Sequence, residues 1–133
     1  MKLEKHLENL RETLAVLGEC VQKGLYTERQ RTIGFHCSAG AVDLVEVYLH
    51  RDHLIDPGKQ LKHDWFLSLR KAQERLDVDF PHKQRILELL LDIETRRDLL
   101  CYGPPQEKEM VQKAIGAFNQ LKALLESTGV AYE

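Results

Sequence analysis

Residues 33–49 read IGFHCSAGAVDLVEVYL, and one face of a helix cannot hold the apolar side chains among them. At ~100° per residue, Ile33, Phe35, Cys37, Val42, Leu44, Val45, Tyr48 and Leu49 point in most directions around the axis. A helix that is apolar nearly all round must be surrounded by other elements. This segment, from about Thr27 to His50 or His53, is therefore expected to be the most buried helix of the fold. Thr27 with Gln30 three residues later is a capping-box pattern for its start.

The remaining sequence supplies helices to surround it and almost no strand-like alternation. Leu3, Leu7, Leu10, Leu14, Leu17 and Val21 recur in alternating steps of four and three, one apolar stripe on a helix over 2–23 that Gly24 ends. Asp56, Pro57 and Gly58 form a turn. A shorter helix over 61–76 carries Trp65, Phe66 and Leu69. A fourth helix is expected from Pro81 to Cys101, stopped by Gly103, Pro104 and Pro105. A last helix covers 106–127, and the tail 128–133 is expected to fray. The pattern predicts an all-α fold: an antiparallel four-helix up-down bundle with an additional short helix, one domain over 1–133.

Charge narrows the function. A formal net charge of -2 supplies no broad basic field for tight non-specific nucleic-acid binding, although a local basic patch remains open. Cys20, Cys37 and Cys101 are odd in number and widely spaced, which argues against a disulfide framework and fits a reducing cytoplasm. The charged N-terminus lacks a signal-peptide apolar region, and no apolar run reaches the ~18 residues of a membrane span. No Gly-rich phosphate loop, G-x-S-x-G or zinc signature occurs, so no cofactor is implied. His50, Asp52, His53, Asp56, His63 and Asp64 come closest to a metal-ligand cluster, but histidines at a helix C-terminus also suit the helix dipole, and no metal site is assigned.

Two features carry polar chemistry. On the central helix Arg29, Thr32, His36, Gly40, Asp43 and His50 fall roughly in line, beside the small residues of CSAGA, 37–41. The stripe either faces solvent beside a tight helix contact or lines a cleft with His36 and Asp43 as its polar groups. Arg31 lies five residues before His36, a spacing that points the two apart on a helix. The second feature is Arg97, which falls among Ile86, Leu90, Ile93 and Leu100 on the apolar side of the fourth helix. A buried guanidinium needs a partner. Arg97 therefore either sends its head to water near the helix end, or pairs with a carboxylate such as Asp43 or Glu46, or with a phosphate.

The stretch RRDLLCYG, 96–103, resembles the signature of the HEPN superfamily, helical-bundle domains with an arginine, a polar residue, apolar filler and a histidine near the end of the penultimate helix. Arg97 matches the arginine, Asp98 the polar residue, Leu99, Leu100 and Cys101 the filler, and Tyr102 stands in the histidine slot. The resemblance implies a homodimer whose arginine motifs meet at a shared cleft. It implies a nucleotide, RNA or protein ligand, or a small nucleotidyltransferase partner. Many such domains are metal-independent endoribonucleases, some related to toxin–antitoxin or defence systems. Tyrosine, with an ordinary pKa near ~10, is a poor general base at neutral pH. The expectation is a non-catalytic or weakly active domain that binds through Arg97, Asp98, Tyr102, His36 and Asp43, with Tyr102 partly buried beside Arg97. The alternatives are an active endoribonuclease using His36 or another histidine, and a purely structural interaction module.

Overall fold

The computed structural model describes residues 2–132; Met1 and Glu133 lie outside the described residues. Its elements are α1 (Leu3–Lys23), α2 (Gln30–Arg51), a 3-10 turn (His63–Leu67), α3 (Leu69–Arg75), α4 (Lys83–Tyr102) and α5 (Lys108–Glu126). Among the described residues there is no strand, and the fold is an all-helical bundle. No helix among them is long and apolar enough to cross a membrane.

α2 is the hub. It packs against α1, α4 and α5, while α4 also packs against α5. Every residue of α2 from Gly40 to Leu49 is buried, as its all-round apolar pattern requires. The insertion between α2 and α4 covers this half. The Glu46 carboxylate accepts the Leu61 amide, and His50 Nε2 lies 3.0 Å from both Glu46 Oε2 and the Lys59 carbonyl. Both of those partners are acceptors, so Nε2 carries the hydrogen. Trp65 and Phe66 dock the 3-10 turn in the core. The expected single helix over 61–76 is broken at Ser68, whose extended backbone and side chain cap α3 by accepting the Lys71 amide.

Four further expectations are corrected. The capping box does not form: Thr27 donates its hydroxyl to Glu28, and α2 starts at Gln30. Gln30 is instead spent on the α4–α5 connection, donating to the Leu100 and Pro104 carbonyls and accepting the Gln106 amide. On α1 the buried line is His6, Leu10, Thr13, Leu17 and Cys20, while Leu3 and Val21 of the expected stripe stay exposed. α4 begins at Lys83 after a left-handed His82 and remains helical through Tyr102. The tail docks rather than frays: Val130 and Tyr132 are buried, and the Tyr132 hydroxyl donates to the Leu44 carbonyl at 2.8 Å.

Glycines set how closely the helices approach α2. A Cβ on Gly40 would lie 2.7 Å from Thr13 Cγ2 and 3.0 Å from Phe118, and one on Gly34 would lie 2.8 Å from Leu100 Cβ. Ser38, Gly40 and Ala41 are buried and Ala39 is half-buried, so most of the small-residue run is an internal helix contact rather than an open surface for a second subunit. Gly40→Ala is expected to lose ~1–3 kcal/mol through overpacking. Gly18→Ala, with no atom within 4 Å of the new Cβ, is expected to gain up to ~1 kcal/mol of helix propensity. Urea midpoints at constant m-value measure both. Equal stabilities of the two variants would contradict the close approach of α1 and α5 to α2.

Candidate functional site

Cover over α2 stops at His63. His63 Nδ1 lies 3.0 Å from Glu94 Oε2 and 3.2 Å from Ser38 Oγ, joining the insertion to α4 and α2. Beyond this anchor the N-terminal half of α2 and the C-terminal half of α4 border an open cleft of about 260 Å³. α2 contributes Arg31, Thr32, Phe35 and His36 to its lining, and α4 contributes Arg97, Cys101 and Tyr102. No carboxylate is among these lining residues.

Arg97 is held from behind. Its Nη1 donates to Glu94 Oε1 at 3.2 Å, and its side chain remains 26% exposed. Ser38 Oγ donates to Glu94 Oε2 at 2.8 Å, so the buried carboxylate takes hydrogen bonds on both oxygens. Burial raises the Glu94 pKa, but hydrogen bonds from His63 and Ser38 and the charges of His63 and Arg97 outweigh it, and the carboxyl sits below its usual range. Ser38, His63 and Glu94 do not make a nucleophile. Ser38 is buried with its hydrogen directed at Glu94, and serine and glutamate share the same imidazole nitrogen. The trio positions Arg97.

Two other groups in the lining can be read chemically. His36 Nδ1 lies 3.0 Å from Thr13 Oγ1, which orients the ring. Burial lowers the His36 pKa against the opposing charge of Glu12, favouring a neutral imidazole at pH 7. Burial raises the Cys101 pKa despite the nearby Arg97 and Arg31 charges, so the group remains a thiol, 3.5 Å from the Arg31 carbonyl.

The cleft brings together Arg97, His36 and Tyr102 of the residues singled out from sequence. It does not include Asp43 or Asp98. Asp43 is buried between α1 and α2, where His6 Nδ1 donates to its Oδ1 at 2.7 Å; a buried carboxylate requires such a partner. Asp98 lies on the other side of α4, lining an apolar groove of about 640 Å³ with Leu99 and Met110. Arg97 pairs with Glu94, one turn back on its own helix, rather than with Asp43 or Glu46. Tyr102 is 72% exposed, not partly buried, because α4 stays regular and carries the ring to the rim, where it borders both depressions.

Arg31 and Phe35 are the residues that sequence reasoning missed. The available signal was the i, i+4 spacing of Arg31 with Phe35 and of Thr32 with His36, which places all four on one face. His50 and His63 of the weighed metal cluster are instead committed to Glu46 and Glu94. Among the described residues no group of three His, Cys, Asp or Glu is placed to hold a metal ion. Comparison with protein-family models, curated proteins and solved structures finds no match to this chain.

Glu94→Gln is expected to cost ~1–3 kcal/mol at pH 7, because an amide nitrogen would face donors that now bind a carboxylate. The depressed folded-state pKa means that the carboxylate's contribution is complete above the ordinary value of 4.5 and is lost as pH falls through the lower folded value. The gap in urea midpoint between wild type and variant should therefore close on acidification below pH 4.5. A gap that persists unchanged at lower pH would contradict the assignment.

Proposed function

We propose that this chain is a HEPN-like domain, an antiparallel up-down four-helix bundle with a helical insertion, whose cleft around Arg97 binds the phosphate of a nucleotide or RNA. One observation carries the reading: Arg31 and Arg97 line a cleft without a carboxylate in its lining, in a chain whose net charge is -2. Pairing Nη1 with Glu94 fixes the guanidinium and leaves Nε and Nη2 to grip two phosphate oxygens. Tyr102 can donate a hydrogen bond to phosphate but is a poor proton acceptor, so the domain is non-catalytic or weakly active. The same resemblance supports a homodimer, and a small nucleotidyltransferase or another protein as partner. Sedimentation at ~50 μM, a concentration matched to about 6 kcal/mol of association, tests the dimer.

A second reading, a metal-independent endoribonuclease, is favoured by His36. It lines the same cleft as Arg97, and its neutral ring is the form that can take a proton from a ribose 2′-hydroxyl. The test is single-stranded RNA with chelator present. Wild type is expected to bind RNA and cleave it slowly or not at all, and Tyr102→His to raise cleavage. Arg97→Ala should weaken binding about tenfold or more, and Arg97→Lys should restore little because lysine lacks the two-pronged fork. Robust wild-type cleavage that is lost in His36→Ala would favour the nuclease. No binding of nucleotide or RNA by wild type would overturn the phosphate reading and leave a structural interaction module.

A further inference from the structure

Each wall of the cleft pairs a guanidinium with an aromatic ring: Arg31 with Phe35 on α2, and Arg97 with Tyr102 on α4. Phe35 is the anomaly. It lies on a helix whose later residues are buried without exception from Gly40 to Leu49, yet it is 50% exposed. Its ring meets His36 edge-to-face, with centroids 5.2 Å apart and planes at 87°. That geometry occupies at most one face of Phe35, and the half-exposed ring lines the cleft. Tyr102, at the opposite rim, is more exposed still. An anion site for inorganic phosphate has no use for two exposed rings. A ligand with a flat heteroaromatic group joined to phosphate uses both features, because stacking on aromatic side chains accepts any base and guanidinium groups hold the backbone. At about 260 Å³ the cleft is smaller than the ~300–1,000 Å³ typical of small-molecule sites, which suits one base with its phosphate rather than a dinucleotide cofactor.

We infer that Phe35 and Tyr102 form a stacking platform for a single unpaired nucleobase whose phosphate sits on Arg97 and Arg31. The inference rests on the phosphate-binding reading of the same cleft and adds the ligand's second half. A base inside a duplex has both faces covered by its neighbours, so the platform selects unpaired bases and discriminates against double-stranded RNA. The base comes either from a free nucleotide or from a single strand. The shared element is the base with its adjoining phosphate.

The experiment titrates the full chain, with chelator present, with ribose 5-phosphate, adenosine 5′-monophosphate, a single-stranded oligoadenylate and an RNA duplex. The variants are Phe35→Leu, Phe35→Trp and Arg97→Ala. Phe35→Leu keeps an apolar side chain at a half-exposed position, and circular dichroism is the check that it folds. It should weaken the base-bearing single-stranded probes about tenfold and leave ribose 5-phosphate unchanged. Phe35→Trp should retain or improve binding, and Arg97→Ala should weaken every probe. Tighter binding of the oligoadenylate than of the monophosphate assigns the site to a strand, and the reverse assigns it to a free nucleotide. Equal affinity for ribose 5-phosphate and the monophosphate, with Phe35→Leu silent on both, overturns the platform while the Arg97 anion site stands. Preference for the duplex likewise overturns it. Absence of binding by all four probes removes the phosphate reading and the platform with it.

Discussion

A helix that is apolar on every side must be walled in on every side, and α2 is fully walled in only along its C-terminal half. α1, α4 and α5 pack against it, and the insertion between α2 and α4 adds cover until it reaches its anchor at His63. The cleft is the remainder: the length of α2 that the chain leaves uncovered. Its position follows from where the insertion stops rather than from any special local geometry. This accounts for why Phe35, Tyr102, two arginines and a histidine share one opening in a protein whose overall charge is slightly negative.

Two buried carboxylates make the cover specific. Glu46 ties α2 to the insertion through the Leu61 amide and His50, with His6 Nε2 of α1 3.5 Å away. Glu94 ties α4 to α2 through Ser38 and to the insertion through His63. Each stays buried because donors surround it; leaving either without partners would cost several kcal/mol. Glu94 serves the site as well as the fold, since its second oxygen holds Arg97 at the cleft wall. The groove between α4 and α5 that Arg85 and Arg96 line, about 600 Å³, differs in kind. Arg96 pairs there with Asp92 at 3.1 Å and Arg85 lies 3.9 Å from Glu88, so its charges are compensated within the groove.

The fold was legible wherever periodicity carries the information. The central burial of α2, the docking of Trp65 and Phe66, and the end of α4 before the two prolines could all be read from spacing. Failures came where polar side chains find distant partners. The α1 stripe holds for Leu7, Leu10, Leu14 and Leu17 but misses His6 and Thr13, which look like surface residues yet meet Asp43 and His36 across the α1–α2 contact. Gln30 looks like half of a capping box but binds backbone groups of Leu100, 70 residues on, and of Gln106, 76 residues on. At the site, Arg97 stood out because a charge on an apolar face is costly. Phe35 did not, because an exposed phenylalanine and a buried one look alike in a helix that is apolar all round. Its exposure depends on where a separate segment ends.

In the proposed site Arg97 and Arg31, and no other arginines, receive the ligand's phosphate. Side-chain nitrogen NMR of the arginine-labelled chain resolves this site by site during titration with a single-stranded oligoribonucleotide. The Nε–H signals of Arg97 and Arg31 are expected to shift and sharpen, while those of Arg85 and Arg96 in the α4–α5 groove stay in place. Perturbation centred on Arg85 and Arg96, or equal small shifts across all arginines, would contradict that assignment.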